Sequence, residues 1–420
     1  MKKKLRIILV WTLVSLLLQF GAYSFLNNKV QKVMAPVDSE PITLQLKSTI
    51  PGTDLTDVQI SYAKDYLAYM ENGTLKVFNL KKDKVVFEKK SPSNDKSFGV
   101  LTYQWLPDRN TLLYFYAKKN PNPVTYVTVY PQKTTTKTEI QTPTSTSTDP
   151  KTEDPNQKVN KEVPKVVPKE VPAEPRTEKR YGNPQITELY SLELPNSDEE
   201  TAPDDRFNQT IDQFPAGGKI EELVVSTSTN LMYLTVKNES TELLMQIDVM
   251  KNVRTLSKSG ESIDTMAASD RYGTLFIDSK VGATHQVIAL EGTKRQIISK
   301  NTSDRILGIR DGNIYIGEVE NNVLVKIKTT ADLSELNSNP SLKTVWEGSI
   351  PFNKNVRTLI GAKGQMVVYD HQTAYIVKAG QLSEVKLHGD ENYVSVDGAE
   401  LMQLTKQGTS TLAELQPLNP

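Results

Sequence analysis

Residues 101–117 read LTYQWLPDRNTLLYFYA. Two runs rich in β-branched and aromatic side chains, LTYQW and TLLYFYA, flank the polar connection Leu106-Pro107-Asp108-Arg109-Asn110, which is how a β-hairpin looks in sequence. Proline presets one backbone angle of the turn, and Asp and Asn tolerate the left-handed backbone that completes it.

Outward from this hairpin the alternation of apolar and polar residues rarely stops. Residues 58–89 divide into four short strands, 58–62, 66–70, 74–80 and 85–89, with Asn72-Gly73 as a primed turn between the second and third. Four antiparallel strands in about 35 residues are the size of one propeller blade. The inner-hairpin pattern recurs at 222–238, 265–280, 305–320, 358–372 and 393–407. Once one long insertion is removed, the turns lie roughly 35–55 residues apart, near the blade period. Asp311-Gly312-Asn313, Lys363-Gly364 and Asp397-Gly398 supply the positive φ that such turns need. The chain therefore predicts an all-β fold: a β-propeller of about seven four-stranded blades over residues 41–130 and 181–418. Trp105, Pro107 and Asp108 resemble the turn joining the two inner strands of a blade in TolB-type, WD-repeat-like propellers, with Arg109 where that family prefers Gly. The resemblance implies that 101–117 is the inner hairpin of blade 2.

The last unit, 391–418, has room for about three strands before the chain ends. ITLQLK (42–47) is a spare strand, and it is expected to complete that blade and close the ring.

Ahead of the propeller, Lys2, Lys3, Lys4 and Arg6 precede an apolar run without charge until Lys29. Residues 7–26, with Ile7, Leu9, Trp11, Leu13, Leu16, Leu18 and Phe20, are long enough for one transmembrane helix, and the basic flank (1–6) assigns the N-terminus to the cytoplasm. Ala22 and Ser24 also fit a signal-peptide cleavage site after Ser24. Tyr23, Phe25 and Leu26 extend the apolar span and favour an uncleaved anchor. The expectation is a single-pass protein of the cell membrane, its bulk extracytoplasmic, carried on a polar stalk (27–40) and bound to the bilayer through this helix. A chain without cysteine offers no disulfide, thiolate or lipobox. This fits the envelope of a Gram-positive bacterium.

Residues 131–180 break the pattern. They are mostly Thr, Pro, Lys and Glu without an aromatic, so they cannot bury enough apolar surface to offset ordering and are expected to be disordered. KEVPKVVPKEVPAEP favours polyproline II. QITELYSLELP (185–195) then resumes the second blade, and Asp198, Glu199, Glu200, Asp204 and Asp205 read as a solvated acidic loop.

Chemistry leaves few traces. The formal net charge is zero over 420 residues, which gives no electrostatic basis for binding nucleic acid. His285, His371 and His388 do not share a metal-ligand spacing, Gly260-Glu261-Ser262 lacks the closing glycine of a nucleophile elbow, and no phosphate loop or dinucleotide fingerprint calls for a cofactor. Ser269 to Thr274 resembles an Asp-box turn with spacing off by one. Tyr62, Tyr66, Tyr69, Tyr103, Trp105, Tyr114, Phe115 and Tyr116 are placed to fill the space between blades. No catalytic residue set emerges. The preferred reading is a non-catalytic scaffold for a protein or cell-wall polymer partner. The alternative is a carbohydrate-active or other hydrolytic propeller using Asp57, Asp264 and Asp270 in the channel.

Overall fold

A computed structural model of the protein describes residue 19 and residues 46–92, 98–129, 176–215, 217–238, 241–332 and 340–418. Apart from Gln19, the expected anchor (7–26), its basic flank and the stalk lie outside these residues. Among the described residues no helix is long and apolar enough to cross a membrane.

Thirty strands form seven four-stranded antiparallel sheets and one two-stranded ribbon among the described residues. β1 (Leu46–Pro51) precedes the first full blade, which is β2 (Thr56–Ile60), β3 (Tyr66–Glu71), β4 (Thr74–Asn79) and β5 (Lys84–Lys89). Blade 2 uses β6 (Gly99–Trp105), β7 (Thr111–Lys119), β10 (Gln185–Glu193) and β11 (Asp204–Ile211). Between β7 and β10 the chain forms β8 (Val124–Val129) and β9 (Arg176–Tyr181). Blade 3 is β12 (Lys219–Ser226), β13 (Leu231–Asn238), β14 (Thr241–Ile247) and β15 (Val253–Thr255). Blade 4 is β16 (Glu261–Ala268), β17 (Leu275–Val281), β18 (Thr284–Glu291) and β19 (Lys294–Ser299). Blade 5 is β20 (Asp304–Arg310), β21 (Asn313–Glu320), β22 (Val323–Ala331) and β23 (Lys343–Pro351). Blade 6 is β24 (Arg357–Ile360), β25 (Met366–Tyr369), β26 (Thr373–Lys378) and β27 (Gln381–Lys386). Blade 7 takes β28 (Glu391–Val394), β29 (Glu400–Gln407) and β30 (Ser410–Pro417) from the end of the chain, and β1 from its beginning.

That closure is what the spare N-terminal strand predicts, with a later end. The paired segment is Leu46–Pro51, antiparallel to β30 from Leu46 opposite Leu415 to Pro51 opposite Ser410. It ends four residues later than the expected 42–47, of which only Leu46 and Lys47 are described. The physical reason is Ile50, fully buried between blades 7 and 1, which anchors the pairing around itself.

Seven blades in an open row share six interfaces, and a ring shares seven. Among the described residues there are seven apolar clusters, one for each neighbouring pair, including blade 7 with blade 1. The period of two along each strand feeds both seams at once. On β3, Leu67 and Tyr69 face blade 7 while Tyr66 and Ala68 face blade 2. On β17, Leu275 and Ile277 face blade 3 while Phe276 faces blade 5. The molecule is a seven-bladed β-propeller, closed by strands from both ends of the chain.

Turn chemistry follows the sequence. Asn72 and Gly73 have φ of 50° and 73°, and Asp311 and Gly312 have 49° and 71°, the signature of the primed hairpin turn. The turn after Trp105 also ties blades together. Asn110 Oδ1 accepts the Ala63 N–H at 3.0 Å, and Asn110 Nδ2 donates to Asp65 Oδ1 at 3.1 Å.

Three local readings change. The acidic stretch is not all loop, because Asp204 and Asp205 begin β11, the outer strand of blade 2. Ser262, expected as an ordinary turn residue once the elbow motif is set aside, lies on β16 opposite Lys280. The expected disordered segment, 131–180, overlaps β9: Arg176–Tyr181 pairs with β8 in a ribbon belonging to a separate compact unit, residues 120–184. β9 is exposed at every position, so no buried side chain supports its pairing. Residues 131–175 lie outside the described residues.

Candidate binding face at the channel mouth

The innermost strands β2, β6, β12, β16, β20, β24 and β28 line the ring axis. Side chains match levels from one to the next: Gln59 bonds to Tyr103 and Trp105, Glu222 to Met266, and Thr358 to Leu307. These strands therefore run in one direction, and their first residues define one mouth of the channel.

Near that mouth the inner strands are irregular. Register shifts fall between Thr56 and Gln59, Val100 and Thr102, Ile220 and Glu222, Ile263 and Met266, and Ile306 and Gly308. A bulge takes backbone N–H groups out of the ladder and leaves them in need of an acceptor. In two seams, between blades 3 and 4 and between blades 4 and 5, the neighbouring blade supplies it. Glu222 Oε1 accepts the Met266 N–H at 3.2 Å, Glu242 Oε1 accepts the Ile263 N–H at 2.8 Å, and Asp278 accepts the Ile306 N–H with both oxygens at 3.1 and 3.0 Å. Burial pushes the Glu222 carboxyl up to about 7, opposed by the Met266 N–H and assisted by Asp278. Asp278 is fully buried. Burial raises it to about 7 as well, against Thr265, the Ile306 N–H and Arg305.

Two further buried acids begin inner strands. Glu261 takes both guanidinium nitrogens of Arg295, at 2.6 and 2.7 Å; burial works to raise it, and Arg295, Ser279 and the Lys258 N–H together hold it below the usual carboxylate range. Asp304 accepts Lys328 Nζ at 2.9 Å and Ser299 Oγ at 2.7 Å. These acids serve the frame of the ring.

The bulges of blades 1 to 3 surround one cavity of ≈ 350 Å³, whose wall includes Asp57, Gln59, Thr102, Tyr103, Gln104 and Glu222. Asp57 has φ of 54°, a left-handed conformation uncommon outside Gly, Asn and Asp. Of the three carboxylates chosen from sequence, Asp57 alone lines this cavity. Asp264 is exposed on β16, and Asp270 sits six positions further along, in the turn at the opposite end, roughly 15–20 Å away at strand rise. The pair does not reach the separation of about 5–10 Å that glycoside hydrolysis uses. Glu222, Glu261, Asp278 and Asp304 were not legible as a group. Their signal is a carboxylate beside a bulge, and bulges do not show in composition.

The histidines stay apart. His285 is buried on β18 with Nδ1 3.2 Å from Arg305 Nη1, and burial together with Arg305 lowers its pKa. His371 and His388 are exposed in connections. Among the described residues no group of three or more His, Asp or Glu is arranged to hold a metal ion. Ser269 to Thr274 is the β16–β17 connection, its Ser269 Oγ accepting the N–H groups of Arg271 and Tyr272 at 3.1 and 3.0 Å.

The aromatics mostly fill seams, as their spacing predicts: Tyr66, Tyr103, Trp105 and Tyr114 pack together between blades 1 and 2. One cluster reaches the surface. Tyr114 and Tyr190 stack at 5.0 Å, and Phe207, 54% exposed, meets Tyr190 edge-on at 5.6 Å. Lys89 from blade 1 lies 4.2 Å from the Tyr190 ring centre and 3.0 Å from Asp205. Its charge is thus held by a ring face and a carboxylate together.

No family model and no curated protein matches this sequence. Among solved structures, the β-propeller domain of Myceliophteria thermophila Cps50 (Swd1) is 11% identical, with a TM-score of 0.48 over 89% of this chain and 100% of that one. The Dos1 propeller is 9% identical, with a TM-score of 0.44 over 87% and 82%. The AfRom2 CNH domain is 8% identical, with a TM-score of 0.43 over 89% and 99%. The propeller assignment rests on this chain's own strand order and its seven seams.

Proposed function

We propose that the protein is a non-catalytic scaffold: a single-pass, membrane-anchored propeller outside the cytoplasm that presents one face of its ring to a protein or cell-wall polymer partner. The carrying observation is that carboxylates packed along the inner two strands of the blades are committed to backbone N–H groups or to Arg and Lys. A ring held this way is a rigid platform, and rigid frames with varied loops suit recognition. The anchor reading draws on residues 1–26, whose basic flank and apolar run precede the strand that closes the ring. The likeness of Trp105, Pro107 and Asp108 to TolB-type turns, and a Gram-positive envelope, belong to the same reading. Hydrolysis is the weaker alternative, since Glu222 is already bonded to Met266 and Asp264 and Asp270 lie at opposite ends of the channel.

Cell fractionation tests the tether. The full chain is expected in the membrane fraction and resistant to high-salt and alkaline washes, with the propeller digested by protease added to intact protoplasts and an N-terminal epitope protected. A chain starting at residue 27 should be released to the soluble fraction. A mature protein that begins at Phe25 and leaves the membrane would contradict the anchor.

A further inference from the structure

Blades 4 and 5 meet around a buried imidazole at the mouth where β20 begins. His285, 6% exposed, lies near the start of β18 with its Nδ1 3.2 Å from Arg305 Nη1. A guanidinium only donates, so Nδ1 accepts and the ring carries its proton on Nε2. That nitrogen is buried without a partner among the described residues. The bonded ring is therefore neutral, its tautomer fixed by one neighbour. The same Arg305 nitrogen donates to the carbonyls of Thr302 and Asp304 at 2.8 Å each. Through it the imidazole secures the connection from blade 4 to blade 5, residues 300–303.

A second proton on the ring would go to Nδ1, where it faces the guanidinium. The bond would be lost, and two cations would stand in contact. The other charges around the ring are Asp304 on β20, Lys280 directly opposite on β17, and Asp264 on β16. Lys280 adds to the repulsion. Asp304 is taken by Lys328 and Ser299, and Asp264 is exposed to solvent, so both counter it weakly. Asp278, in the same seam, attracts Arg305 only while ionised, and burial raises its carboxyl to about 7. Acid thus removes an attraction from Arg305 and adds a repulsion.

We propose that this seam is an acid-released latch: uptake of a proton by His285 detaches Arg305 and frees residues 300–303 at the channel mouth. Burial first and Arg305 second lower the pKa of the ring. Between the ordinary imidazole value of about 6.5 and the lowered one, the unfolded chain binds a proton that the folded seam refuses, so this contribution is whole above that window and is lost as pH falls through it. Arg305 is only half-buried and the connection lies at the surface, which leaves both room to move. The latch needs neither the tether nor a partner, so it stands apart from the scaffold reading.

Hydrogen exchange of the full chain in detergent at pH 5 and pH 7.5, corrected for intrinsic rates, tests it. The amides of Asn301, Ser303 and Asp304 are bonded within the connection, and they are expected to exchange about fivefold faster at pH 5 in the wild type. His285→Gln keeps an acceptor for Arg305 and cannot take up the proton, so its exchange should be the same at both pH values. Protonation of Asp278 stabilises the whole fold, so the reading is this local exchange and not the unfolding midpoint. On the wild-type chain, NMR titration of the imidazole signal lost in His285→Gln should give a value below the ordinary one, and Arg305→Gln should move it upward. Exchange in the connection that ignores pH, an equal acid response in His285→Gln, or a His285 titration unmoved by Arg305→Gln would each overturn the latch.

Discussion

Removing Leu46–Pro51 is expected to destabilise the whole propeller, not only blade 7. The deletion strips β30 of its partner along six register pairs, exposing a strand edge, and it empties the place of Ile50 between blades 7 and 1. Truncating one such buried Ile to Ala costs about 2–5 kcal/mol, and the lost ladder adds roughly 1 kcal/mol per hydrogen bond. At roughly 2–4 °C per kcal/mol, the midpoint should drop by at least about 10 °C. Ile50→Ala alone should give the smaller share of that loss. Thermal unfolding followed by circular dichroism reads both. A midpoint unchanged by the deletion would mean that the ring does not depend on its N-terminal strand.

The second large effect concerns pH. Glu222 and Asp278 both stand near 7 in the folded protein and near 4 when unfolded. Between those values the folded state holds protons that the unfolded state has released, so stability falls as pH rises from about 4 to 7 and stays low above it. Above pH 7 each buried charge costs on the order of 3 kcal/mol, offset in part by the N–H bonds it accepts. Asp278→Asn keeps an acceptor for the Ile306 N–H and removes the charge. It should therefore raise the midpoint at pH 8 by several degrees and change little at pH 5. Glu222→Gln should behave alike. Chemical denaturation of each variant at the two pH values makes the comparison. A destabilised Asp278→Asn at pH 8 would show that the carboxylate charge is needed in that seam.

What could be read from the sequence was local. The hairpin at 101–117, the Asn72-Gly73 turn and the inner hairpins follow from period-two alternation and turn residues, both encoded within a few positions. β11 was hidden because DDRFNQTI opens with charged residues and has no clean apolar alternation, and it is placed by pairing to β10 across a loop. β9 was hidden for the same reason, with an exposed side chain at every position. The closing strand was legible as a strand but not in where it ends, because that is set by Ile50 meeting residues of blades 1 and 7 distant in sequence. Glu222 and Asp278 look in sequence like solvated positions on alternating strands. Only the bulged neighbour, a tertiary fact, gives them their bonds.

Closure of the ring by its two ends is the central claim, and the absence of native cysteine makes it directly measurable. Lys47 and Glu414 stand opposite each other and form an ion pair. Mild oxidation of a Lys47→Cys, Glu414→Cys protein is expected to give a near-complete intramolecular disulfide, seen as a faster band on a non-reducing gel, while Lys47→Cys with Gln416→Cys, two positions out of register, should crosslink poorly. Equal crosslinking of the two pairs, or disulfides only between separate molecules, would contradict the closed ring.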